Sequence, residues 1–181
     1  RTTGALRGLG PNFVLDERDE LGRNAMPAGG LAMSATDMAQ WLKIQLAHGT
    51  MPGGGRLFSD AAAKEMWTPV TPMPNEDWPG DLAPANPNYT AYALGWQVQD
   101  YRGARLVWHG GGVFGAITLV ALLPDQDVGI AIMINSEEAA LRRGLFYELL
   151  DPSLGFPAND WPAKWDVFVA QRLEGGREFL A

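Results

Sequence analysis

The chain has 181 residues, enough for one substantial domain, and its 46% hydrophobic and 19% charged content is globular rather than disordered. A formal net charge of -7 and the lack of any basic run argue against nucleic acid or an anionic membrane as partner, since both reward clustered Lys and Arg. There is no cysteine, which removes disulfides, thiolate metal sites and a cysteine nucleophile.

Residues 1–30 are rich in Gly, Pro, Asn and charge and read as extended loop. The opening "RTTGALRGLG" has neither a Met nor an apolar signal core and reads as the middle of a longer chain. In "MSATDMAQWLKIQLAHG", Ser34 and Asp37 have capping-box spacing. Met38, Leu42 and Leu46 follow as one apolar helical face, with Gly49 as the stop. "LFSDAAAKEMW" predicts a shorter helix with Ser59 as N-cap and Asp60 in its first turn. Residues 68–90, dense in Pro and Asn, predict a long irregular surface loop.

From residue 91 the pattern turns to strands. "YALGWQVQDY" alternates in part, "RG" at 102–103 turns the chain, and "ARLVWH" follows. Residues 116–123 and 128–134 are apolar at almost every position, which predicts strands buried on both faces. "PDQD" between them predicts a hairpin turn. "NSEEAALRRGLFYELL" predicts a helix capped by Asn135 or Ser136, with Glu137 and Glu138 in its first turn. Leu141, Leu145 and Leu149 would form the apolar stripe, and Glu138 and Arg142 an i,i+4 pair. Helices, a meander of about four strands, then a helix indicate an α+β fold with an antiparallel sheet. The tail after residue 150 either wraps the domain or leads to another module. No apolar run approaches the ~18 residues of a spanning helix. Two histidines without an H-E-x-x-H pattern give no metal signature, and no cofactor is expected.

"HGGG", His109 to Gly112, is the stretch that bears on chemistry. By itself it reads as a bulge or turn with an ordinary histidine. The functional reading is a backbone edge that approaches a substrate closely and points an N–H at a developing oxyanion. Trp108 beside it reads as core packing and Phe114 as a residue that can line a site. His48 reads as a helix C-terminal residue, and Glu137 and Glu138 as partners of a helix dipole rather than a catalytic pair.

Three segments, "AGGLAMSATDMAQWL", "YALGWQV" and "HGGGVFGAITLVALLPDQDVGIAIMIN", resemble in order and spacing the C-terminal half of the serine β-lactamase-like hydrolases. The relatives concerned are class C β-lactamases and their esterase and D-peptidase cousins. The resemblance implies the C-terminal portion of the β-lactamase/transpeptidase-like fold, an antiparallel sheet with flanking helices. It implies a division into residues 1–150, part of the catalytic domain, and 151–181, a tail or linker towards a possible further module. It also implies catalysis through an acyl-enzyme, with an S-x-x-K serine, a Y-x-N group and a K-T-G or H-T-G strand.

"HGG" at 109–111 falls at that third motif. His109 then takes the catalytic position of the family Lys, Gly112 carries an oxyanion N–H, and Gly110, Gly111 and Phe114 line the substrate site. His for Lys and Gly110 for Thr both weaken recognition of an anionic carboxylate, which favours an ester or amide substrate. No serine here has Lys three residues on, and no tyrosine has Asn two residues on. The expected partners are therefore a missing N-terminal part of the same protein and a small ester, amide or peptide. The fragment alone is expected to be inactive. The alternative is a non-catalytic, penicillin-binding-like or peptide-binding relative. The resemblance alone suggests a periplasmic or secreted setting.

Overall fold

The computed structural model describes residues 2–3, 13–14, 22–113 and 115–180, the side chains of 2–3, 13–14 and 176–180 aside. Two short strands, β1 (Thr2–Thr3) and β2 (Phe13–Val14), pair with each other. A single turn of helix, α1 (Met26–Gly29), stands where loop was expected, started by Pro27, whose fixed φ suits a first helical position. Next come α2 (Ala35–Leu46) and α3 (Asp60–Met66). The capping box of α2 is complete: Ser34 Oγ accepts from the Asp37 N–H, and the Asp37 carboxylate accepts from the Ser34 N–H. The Ser34 hydroxyl, which donates to the Asp37 carboxylate at 2.7 Å, and then the Ser34 N–H hold this exposed carboxyl below its ordinary range. Ser59 caps α3 in the expected way.

The rest of the chain is a six-stranded antiparallel meander followed by two helices. Its strands are β3 (Thr71–Met73), β4 (Thr90–Tyr92), β5 (Gln97–Tyr101), β6 (Ala104–Val113), β7 (Ala116–Leu123) and β8 (Val128–Ile134), each paired with the next. The helices are α4 (Ala139–Ser153) and α5 (Trp161–Leu180). The architecture is α+β.

Period-two alternation divides the strand residues between two cores. Val98, Val107 and Leu122 face α2 and α3, where Leu42 and Trp67 close over them. Leu106, Leu119, Leu123 and Ile132 face α4 and α5. The expectation of two-sided burial holds for much of β7. It fails for β8, the edge strand, whose Met133 is exposed.

Three further expectations are corrected. Residues 68–90 are not wholly surface loop: they supply β3, β4 and a 3-10 turn at 80–85 whose Leu82 and Ala85 are buried. On α4 the buried face is Phe146, Tyr147 and Leu150. Leu141 and Leu149 are 43% and 46% exposed, because α5 packs on the other side of the helix. No side chain caps α4 from its N-cap position, Glu138. Ser136 Oγ accepts the Glu138 N–H instead, ahead of the helix.

Segment 151–181 enters the same core up to Trp165. Trp161 and Trp165 are fully buried, and Asp151 accepts hydrogen bonds from Tyr101 Oη at 2.6 Å and Trp161 Nε1 at 2.7 Å. Arg102 Nη1 lies 3.5 Å from the same carboxylate. Burial, then the bond to Asp151, pushes the Tyr101 phenol far above its ordinary range, so it remains a donor.

Candidate functional site

The site arises because neighbouring strands end at different places. β5 has five residues and β6 has ten, and the last β5 partner is Gln97, opposite Trp108. Beyond that point His109 to Val113 pair with β7 alone. Val113 and Ala116 face each other across a two-residue turn, a pair that can close only through mutual N–H···O=C bonds. Alternation then turns the N–H and C=O groups of Gly111 and His109 towards β7. Those of Gly110 and Gly112 turn towards the edge that β5 has vacated. The turn is held by Glu137, whose Oε1 accepts the Gly115 N–H at 2.9 Å. Glu137 lies before α4 rather than in its first turn, so its work is at this hairpin.

In front of the open edge is a cleft of about 280 Å³. His109, Gly110, Gly111 and Gly112 form one wall, and α1 with Leu31 and Met38 forms the other. Thr118 and Val120 of β7 lie along it as well. Leu31 is 87% exposed at the rim. A larger hollow, about 390 Å³, lies between the 80–85 turn and α5. Its titratable groups are Asp81 and Lys164, and it contains no histidine or open strand edge, so the smaller cleft is the better chemical candidate.

The glycines are explained separately. A Cβ on Gly111 would stand 2.8 Å from Thr118 Oγ1, so glycine there leaves that hydroxyl uncovered on the cleft side. A Cβ on Gly110 would stand 2.5 Å from Arg142 Nη1 on the α4 side. Arg142 does not form the expected bridge to Glu138. It turns under β6 and donates Nη1 to the Thr118 carbonyl at 3.3 Å. Burial, then the adjacent Arg143, lowers its guanidinium below the ordinary value, partly opposed by Glu76. At Gly112 the nearest atom to a Cβ is 3.7 Å away, so the strand itself tolerates a side chain there.

His109 is half-buried, and its Nε2 lies 3.0 Å from Tyr92 Oη. Sequence reasoning missed Tyr92, Thr118 and the wall formed by α1, Leu31 and Met38. Tyr92 is 17 residues from His109 and meets it only through strand register. Trp108 packs on Phe146 and donates Nε1 to Gln99 Oε1, as a core residue does. His48 lies edge-on to Trp67 at 5.7 Å, away from the cleft lining. Phe114 lies outside the described residues. Among the described residues no group of three or more His, Asp or Glu is placed to hold a metal, and no helix is long and apolar enough to cross a membrane.

Comparison with known proteins adds the following. An unguisins hydrolase of Aspergillus violaceofuscus is 38% identical over 95 residues, 49% of this chain and 17% of the relative. A second unguisins hydrolase, from Aspergillus campestris, is 29% identical over 159 residues, 83% of this chain and 28% of the relative. Penicillin-binding protein 4 of Amycolatopsis lactamdurans is 28% identical over 138 residues, 76% of this chain and 34% of that protein. The chain thus spans about a third or less of the length of these curated relatives. No solved structure matches significantly. The Beta-lactamase family model matches residues 2–151, and the chain therefore belongs to the beta-lactamase family.

Proposed function

We propose that the intact protein is a serine hydrolase that works through an acyl-enzyme on an ester or amide, an ester being favoured. The observation that carries this reading is the open edge of β6, with the Gly112 N–H turned out of the sheet beside a half-buried histidine. In the proposed reaction a serine outside these 181 residues attacks the carbonyl carbon. The C=O electron pair moves to oxygen, and the Gly112 N–H is one of the donors that stabilise it. His109 hydrogen-bonds to the group that passes the serine proton towards the leaving group and tunes that transfer. Water then repeats the attack and releases the acid. With histidine in place of a fixed ammonium, the described residues that line the cleft include no permanent cation for a substrate carboxylate, which supports a neutral ester over an anionic β-lactam. The names of two relatives, unguisins hydrolases, support hydrolysis.

A second reading, a non-catalytic binder, draws support from the likeness to a penicillin-binding protein. Turnover of a short-chain p-nitrophenyl ester by the full-length protein separates the two. His109→Ala is expected to lower kcat with little loss of folding. Gly112→Val keeps the N–H but sets a side chain beside it that obstructs the acyl group or displaces the donor, which is expected to cost on the order of 10²–10³ in rate, the scale of losing one oxyanion donor. Neither acylation nor turnover would favour the binder, and full activity in both variants would refute the site.

A further inference from the structure

We propose that Tyr92 is a positioning residue that fixes the tautomer of His109, donating its phenol proton to Nε2 so that the ring carries its own proton on Nδ1. This deepens the hydrolase reading and rests on it for the catalytic consequence, but not for the tautomer. Tyr92 is the last residue of β4. Its backbone is fixed from both sides: it pairs with Gln97 of β5 and Thr71 of β3, and its carbonyl accepts the Val70 N–H at 2.9 Å. Gln97 in turn faces Trp108, so β4 and β5 both finish one residue short of His109. The phenol reaches past the end of β5 to the ring of His109. Its oxygen lies 3.0 Å from Nε2, and the rings meet edge to face at 5.9 Å with planes 68° apart.

The direction of the proton follows from elementary chemistry. A phenol is a good donor and a poor acceptor, whereas the unprotonated imidazole nitrogen is the strongest neutral acceptor among side chains. Among the described residues no other hydrogen bond reaches either ring. The stable arrangement is O–H···Nε2. Neutral imidazole has one N–H, so Nε2 as acceptor requires the proton on Nδ1. Free neutral histidine favours the opposite tautomer, so Tyr92 reverses an intrinsic preference. His109 then presents a defined ring nitrogen, instead of a mixture, to whatever group occupies the cleft.

The tautomer is read directly by two-dimensional nitrogen–proton NMR of the imidazole in full-length protein carrying ¹⁵N-histidine, with His109 assigned by loss of its signals in His109→Gln. In wild type Nδ1 is expected to be protonated and Nε2 not. In Tyr92→Phe, which keeps the ring contact and removes the hydroxyl, the proton is expected to return to Nε2, while the His48 signals stay in place as the folding control. Ester kcat is expected to fall about tenfold with KM unchanged, the loss of one hydrogen bond. A wild-type His109 protonated on Nε2, or the same tautomer in both proteins, overturns the proposal whatever the kinetics. A tautomer change without any change in kcat overturns its catalytic consequence. A tautomer change in a wild type that hydrolyses nothing sinks the hydrolase reading and leaves the assignment of Tyr92 standing.

Discussion

Asp100 shows how one side chain couples this sheet to pH. It is buried on β5, and its carboxylate accepts from the Asn88 N–H at 2.6 Å, Asn88 Nδ2 at 2.7 Å and the Tyr89 N–H at 3.1 Å. Burial raises its pKa, yet these bonds to the charged form outweigh it and hold the group below the usual range. A depressed folded pKa gives stability that is present above the unfolded value and is lost as pH falls through the folded one. The gap in Tm between wild type and Asp100→Asn should therefore be full at neutral pH. It should narrow as the solution is acidified below about pH 4, the ordinary aspartate value. A gap that is constant with pH would show that Asp100 acts through packing alone. At this same scale, the sequence displayed His109 and its glycines as a local string. Tyr92 and Thr118 were hidden, because each reaches the site through a register that only pairing supplies.

Among the elements, those defined by local chemistry were legible and those defined by packing were not. Ser34 and Asp37 mark the start of α2 by bonds within four residues, so the text of the chain suffices. On α4, Leu141, Leu145 and Leu149 obey helical spacing, while the partner helix selects another face. In that partner, α5, and the segment before it, prolines and polar residues mask two buried tryptophans, Trp161 and Trp165. Each indole buries roughly 200 Å², so at about 25 cal/mol per Å² the two contribute about 10 kcal/mol before the entropy of ordering the segment. Asp151 joins α4, α5 and β5 through Trp161 and Tyr101. Asp151→Ala strands two buried donors and should cost about 3 kcal/mol or more. At about 2–4 °C per kcal/mol, Tm should fall by roughly 10 °C. A melting scan that shows less than a third of this fall would mean the α4–α5 junction is held by its aromatic contacts instead.

For the whole molecule, the antiparallel meander was readable from turn signals and apolar runs. The count of strands was not, since β3 and β4 have three residues each and lie in a proline-rich segment. That miss matters, because the shortness of β4 and β5 is what exposes the site. The hairpin joining them closes through the Ala93 N–H and the Trp96 carbonyl at 2.7 Å, one residue beyond the Gln97–Trp108 pair and short of the glycines. Access to the glycine edge is therefore set by a chain length. Lengthening that hairpin by two residues on each arm, with Val and Thr beside the existing turn, would zip new ladder bonds onto Gly110 and Gly112 and displace the Tyr92 ring. Such a variant should melt at or above the temperature of the parent and lose ester turnover, although every residue of the cleft is unaltered. Retained turnover in the lengthened protein, with the added pairs protected from hydrogen exchange, would mean that the glycine N–H groups are not where the chemistry happens. In this molecule the candidate opening is a vacancy in a ladder, and a protein of this build can be closed by giving it more sheet.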